Sequence, residues 1–147
     1  KQKFVPGLHK FLFPDKGAAE RYIHPSYSPA RACSKRRDSK TGALSGFEVP
    51  DLRDWKDNFI WIVDDICDGG GTFIAIAKEV RAQLKRNCSL GLAVSHGIFS
   101  KGIGDLYTYF DTVVATDSVY EGQFGKFIQI QPLAPVVLET EGININA

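Results

Sequence analysis

The stretch Phe59–Phe73, FIWIVDDICDGGGTF, decides how the rest of the chain is read. Its first five residues, FIWIV, are apolar on both faces, as in a parallel strand buried between two layers. The strand runs into Asp64-Asp65 and then into a glycine-rich turn, Asp68-Gly69-Gly70-Gly71-Thr72. From Thr72 to Lys85 the apolar positions Phe73, Ile76, Ala77, Val80 and Leu84 recur at helical spacing. Successive backbone N–H groups in such a turn, reinforced by the dipole of the following helix, can hold a phosphate. Two carboxylates at the end of the strand can accept hydrogen bonds from sugar hydroxyls or reach a hydrated metal ion. The pattern predicts a site for a phosphorylated sugar.

A glycine run by itself is an ordinary turn. This one lacks the Gly-Lys-Ser/Thr ending of a nucleotide P-loop. It also lacks the glycine spacing of a dinucleotide-binding turn. The acidic pair carries the information. Adjacent carboxylates after a buried strand repel each other and give nothing to a core, so a function is the better explanation for them.

The 147 residues suit one domain with a single core. A net charge of +1 makes no electrostatic case for nucleic acid or an acidic membrane. No run is long enough to span a bilayer. Cys33, Cys67 and Cys88 are scattered and odd in number, which predicts small buried hydrophobes in a reducing, cytoplasmic setting. Cys67 falls inside the glycine-turn segment, which predicts exposure there. Methionine is absent and the chain opens KQK, as expected of a fragment or processed product.

Along the chain, strands are expected at His9–Phe13, Arg31–Ser34, Phe47–Val49, Phe59–Val63, Leu90–Ser95, Thr112–Ala115 and Phe127–Ile130. Helices are expected at Gly17–Tyr22, Thr72–Lys85, Gly104–Tyr109 and Val136–Gly142. Lys35–Gly46 reads as a polar, flexible loop. Strands alternating with helices imply a parallel α/β sheet with its ligand at the strands' C-terminal ends.

Five blocks extend this reading. VDDICDGGGT resembles the ribose-5-phosphate motif of the type I phosphoribosyltransferase fold. PDKGAAER (Pro14–Arg21), SKRRD (Ser34–Asp38), SHGIFSKG (Ser95–Gly102) and VVATDSV (Val113–Val119) resemble, in order and at similar spacing, segments of ribose-phosphate pyrophosphokinases. The resemblance covers about residues 11 to 140 and matches the C-terminal half of those enzymes, with no counterpart of the N-terminal half. It implies an α/β, parallel-sheet, three-layer sandwich of the type I phosphoribosyltransferase kind, one domain spanning residues 1–147. It also implies transfer of pyrophosphate from ATP to the 1-hydroxyl of ribose 5-phosphate, with Mg²⁺ as cofactor and a homo-oligomeric full-length protein. Two other functions remain open beside it, a phosphoribosyltransferase and a non-catalytic regulatory homologue.

The resemblance also implies roles residue by residue. Asp64 and Asp65 would take the ribose hydroxyls, and Asp68, Gly69, Gly70, Gly71 and Thr72 the 5-phosphate. Thr72 could equally cap the helix. Where this chain has Gly69 the family usually carries Thr, and the missing hydroxyl removes a donor worth roughly 1 kcal/mol. Lys35 and Arg37 would be catalytic, stabilising charge that builds up on the transferred phosphoryl groups. Arg36 and His96 would touch ATP, although a structural role is the commoner one for such a histidine. Asp15 would help to bind Mg²⁺, or be a plain turn residue after Pro14.

Overall fold

In the computed structural model, residues 8–22 and 29–119 and the backbone of 128–131 are described. The central strand, β5 (Phe59–Cys67), starts where its apolar run starts but continues through the acidic pair. Around it lie β1 (His9–Phe13), β2 (Ala30–Ala32), β6 (Ser89–Gly97), β7 (Thr112–Thr116) and β8 (Ile128–Gln131). They form one six-stranded sheet in the order β2-β1-β5-β6-β7-β8. Every pairing in it is parallel.

Residue alternation along the strands separates the two faces of the sheet. Leu12, Ile60, Ile62, Leu90, Leu92, Val113 and Ala115 have no exposed surface and share one face. Helix α2 (Gly71–Leu84) seals that face with Phe73, Ile76, Ala77, Val80 and Leu84, the stripe its periodicity predicts. Helix α3 (Gly104–Tyr109) joins it there through Leu106. The opposite face carries Phe11, Val63 and Ala93, which with Tyr22 of α1 (Lys16–Tyr22) line an apolar cleft of about 270 Å³. Helices therefore cover both faces, and the architecture is the expected three-layer parallel α/β sandwich.

Two expectations need correction. The segment Lys35–Gly46 is no irregular loop. It belongs to an antiparallel hairpin of β3 (Ser34–Arg37) and β4 (Leu44–Glu48), separate from the main sheet. The turn closes on Asp38, whose carboxylate accepts the N–H groups of Lys40 and Thr41 at 2.9 and 2.7 Å. Local side-chain capping of this kind is what makes a polar stretch a tight turn. Phe47, buried on the core, anchors the hairpin, so it is no edge strand of the main sheet. The helix expected at Val136–Gly142 lies outside the described residues.

Strand order locates the crevice. From β1 the chain steps outward to β2, then returns to β5 on the other side and proceeds to β8. The direction of winding reverses between β1 and β5, and at such a switch point the loops diverge and leave a cleft at the strands' C-terminal ends. Asp15 lies just past the end of β1, and the acidic pair lies near the end of β5, so both border that cleft. Among the described residues, no helix is long and apolar enough to cross a membrane.

Candidate functional site

At the end of β5, Asp64 and Asp65 point to opposite sides of the sheet, as neighbours on a strand must. Asp64 lies on the α2 side and, with Ile66, Asp68, Gly69, Gly70, Gly71, Thr72 and Phe73, lines a cleft of about 250 Å³. Its side chain is 18% exposed, whereas that of Asp65 is 42% exposed. The two carboxylates expected to act alike are thus in unlike surroundings. Burial pushes the Asp64 carboxyl up; the Asp65 N–H bond to it at 2.9 Å opposes the rise, and the neighbouring Asp65 carboxylate adds to it. Arg21, in the last turn of α1, stands 3.7 Å from Asp64 and 3.9 Å from Asp65 and offsets part of that repulsion.

The glycine turn joins β5 to α2 and differs from the sequence expectation in two ways. Gly70 adopts the left-handed conformation (φ +75°) that only glycine takes without strain, and it caps α2. The helix therefore begins at Gly71, Thr72 is its second residue, and no side chain caps it. Thr72 is not the helix cap. The second difference is at Cys67. Its side chain is fully buried, its thiol is pushed up to about 12 by burial, and its sulfur receives the Gly70 N–H. It is neither exposed nor reactive. Cys33 and Cys88 are buried as well, as small hydrophobes should be.

Gly71 differs from Gly70, since an added Cβ would meet nothing within 4 Å and its φ is not left-handed. Gly71→Ala should raise stability by about 0.5–1 kcal/mol, through better helix propensity and a less flexible unfolded chain. Phosphate affinity should fall, because the methyl would stand where an anion approaches the backbone. Urea unfolding and phosphate titration of the same variant read the two effects separately.

Across the crevice, Asp15 ends the first strand–helix turn. Its Oδ1 accepts the Ala18 N–H at 2.8 Å, a helix N-cap, and its Oδ2 pairs with Lys35 Nζ at 2.7 Å. The Lys35 bond first, and the Ala18 N–H second, hold the Asp15 carboxyl below the usual carboxylate range. The pair ties the hairpin to the switch point. Arg36 and Arg37 are exposed on the same strand, and Arg37 turns back to donate to the Gly42 carbonyl at 3.2 Å. His96 lies near the end of β6, beside the cleft residue Ile66 in the pairing of β5 and β6. Its Nδ1 is 2.7 Å from Ser118 Oγ, which is itself 3.1 Å from the Ser95 carbonyl.

Both Asp15 oxygens are engaged, and among the described residues no three His, Cys, Asp or Glu side chains converge as a metal cage. An ion such as Mg²⁺ keeps several waters and needs only one or two carboxylates plus substrate phosphates.

Two residues near the site have no role assigned from sequence. Arg21 stands within the Pro14–Arg21 block, but only the way α1 crosses the strand ends directs it to the acidic pair. Lys101 lies against Gly69, a contact set by the pairing of β5 with β6 and invisible to spacing.

The switch-point crevice, the all-parallel sheet with helices on both faces and the appended hairpin define a type I phosphoribosyltransferase-like fold. Phosphoribosylpyrophosphate synthetase from Mycobacterium smegmatis shares it, with a TM-score of 0.66 and 19% identity over 90% of this chain. This chain spans 43% of that protein's length. A hypothetical protein from Neisseria gonorrhoeae with bound ppGpp is far less similar, at a TM-score of 0.39 and 12% identity over 86% of this chain and 66% of that one. No protein-family model matches the sequence, and no curated protein is significantly similar to it.

Proposed function

We propose that this chain binds ribose 5-phosphate at the end of β5 and serves as the sugar-phosphate half of a ribose-phosphate pyrophosphokinase. The observation that supports this most is a convergence. Asp64 and the glycine turn line one cleft, Arg21 of α1 stands beside both carboxylates of the acidic pair, and Asp15, which caps the same helix, pairs with Lys35. Asp64 accepts hydrogen bonds from the ribose hydroxyls, with Asp65 beside it. Asp68 through Thr72 surround the 5-phosphate.

In the reaction, the ribose 1-hydroxyl oxygen attacks the β-phosphorus of ATP. The bond from the β-phosphorus to the oxygen bridging it to the α-phosphate breaks, AMP leaves, and the hydroxyl proton is released. Such a transfer needs positioning and charge stabilisation more than covalent chemistry. Lys35 and Arg37, on the hairpin strand β3, supply positive charge to the moving phosphoryl groups. Arg36 and His96 flank the nucleotide. Mg²⁺, if bound, would neutralise phosphate charge, and Asp15 and the acidic pair would be the carboxylates to hold it. Adenine recognition falls to a further domain or a neighbouring subunit, in keeping with a homo-oligomeric cytoplasmic protein of which this chain is the C-terminal part.

The test is calorimetric titration of the chain with ribose 5-phosphate, with and without Mg²⁺. Saturable binding at one site is expected; no binding under either condition overturns the reading. Lys35→Ala should leave that affinity near the wild-type value. In a polypeptide that carries the complete site, the same change should lower turnover by about a hundredfold or more, as loss of a cation acting only in the transition state does. An equal fall in affinity and turnover removes Lys35 from catalysis.

A further inference from the structure

We infer that Lys101, whose stem lies against Gly69, is the cationic ligand of the glycine cradle. This rests on the sugar-phosphate reading and adds a residue to that site.

Charge balance comes first. The cleft and its rim hold Asp64, Asp65 and Asp68, and a phosphomonoester arrives carrying close to two further negative charges. The N-terminus of α2 offers about half a positive charge. Arg21 is already shared between Asp64 and Asp65. A phosphate seated there needs another cation.

Gly69 shows where it comes from. Its φ is not left-handed, so its backbone does not call for glycine as that of Gly70 does. The space its side chain would take is instead occupied by the flexible stem of Lys101. A Cβ on residue 69 would lie 3.3 Å from Lys101 Cδ, 3.4 Å from Cε and 3.7 Å from Cγ. The lysine stem therefore lies against the turn, and its ammonium is one bond beyond the Cε that makes this contact. Lys101 is exposed and takes part in no ion pair among the described residues. A long apolar stem on a backbone surface with a charged head left at its edge is how lysine presents a charge to an incoming anion. Residue 69 thus gives up any hydroxyl of its own, and a full charge from the turn after β6 takes its place.

The test follows the amide signals of Gly69, Gly70, Gly71 and Thr72 by NMR while the chain is titrated with inorganic phosphate and then with ribose 5-phosphate. Lys101→Met keeps the stem and removes the charge; it should weaken phosphate binding about tenfold, as loss of one charge-assisted bond does. The loss should shrink at high salt. Lys101→Arg should stay close to wild type.

If Lys101→Met binds both ligands as tightly as wild type, the inference falls and the sugar-phosphate site stands. If phosphate shifts these amides through Lys101 but ribose 5-phosphate binds no tighter, Lys101 stands and the sugar reading falls. If neither ligand shifts them, both fall.

Discussion

Asp64→Asn is expected to lower the affinity for ribose 5-phosphate by about ten- to a hundredfold, the loss of one charge-assisted hydrogen bond of about 1.5–3 kcal/mol. The same change should raise the melting temperature at neutral pH. Asp64 is largely buried beside a second carboxylate, and its carboxyl is pushed up. A carboxyl whose folded pKa lies above its unfolded one favours folding when protonated. That contribution is present below the unfolded pKa and is lost as pH rises through the folded one. At neutral pH the ionised group is a cost of the folded state, and Asn removes it. Melts of wild type and variant from neutral to acid pH should show the variant's advantage shrinking and then vanishing. An Asp64→Asn chain that melts lower than wild type at neutral pH, with affinity unchanged, would mean that Asp64 is a structural ion-pair partner of Arg21 and nothing more. Asp65→Asn should cost less affinity, since Asp65 is more exposed and does not line the cleft. Asp15 titrates in the opposite sense. Its carboxyl is held low, so the stability it gives through Lys35 and Ala18 is present above its ordinary pKa and lost as pH falls through the lowered one.

The other large effect is expected from Gly97→Ala. Gly97 is buried, ends β6 and pairs with Cys67. A Cβ there would lie 2.1 Å from Phe99 Cε2 and 2.6 Å from Cζ, well inside contact distance. An exposed ring would swing away at little cost. This one is 5% exposed, and its backbone, at φ +50°, is tied down, since the N–H groups of Ile98 and Phe99 both donate to the Cys67 carbonyl at 2.9 and 3.1 Å. The overlap should destabilise the chain by about 1–3 kcal/mol, the range for overpacking a closed core. Because Cys67 precedes the glycine cradle, ribose 5-phosphate affinity should fall with it. Replacing Phe99 with Leu in the same chain should restore part of both losses. Urea unfolding of the single and double variants gives the coupling directly. A Gly97→Ala chain as stable as wild type would show that the ring has room the structure denies it.

These two sites show where sequence reading succeeds and where it stops. The run FIWIV, the helical stripe from Phe73 to Leu84 and the short strand His9–Phe13 are local signals, so their elements form there, although the central strand runs on to Cys67. The hairpin escapes such a reading because its polar, turn-forming residues look the same in a loop as in an exposed strand pair. Only the burial of Phe47 and the pairing of Lys35 with it separate the two. The exposure expected of Cys67 fails for a related reason. Asp68 and the glycine turn follow it in sequence, but its neighbours in space belong to the core.

The candidate site divides in the same way. Asp64, Asp65 and the glycine turn can be read as a unit because chain continuity alone holds them together. That the fold is a parallel α/β sandwich with its crevice at the strand ends is also within reach, because alternating strands and helices allow few other packings. Contacts across strands are not. The Asp15–Lys35 pair, Arg21 beside the acidic pair and Lys101 on Gly69 each depend on strand order and register. Those are set by packing a whole sheet against its helices, a long-range balance of burial that no short window of residues carries.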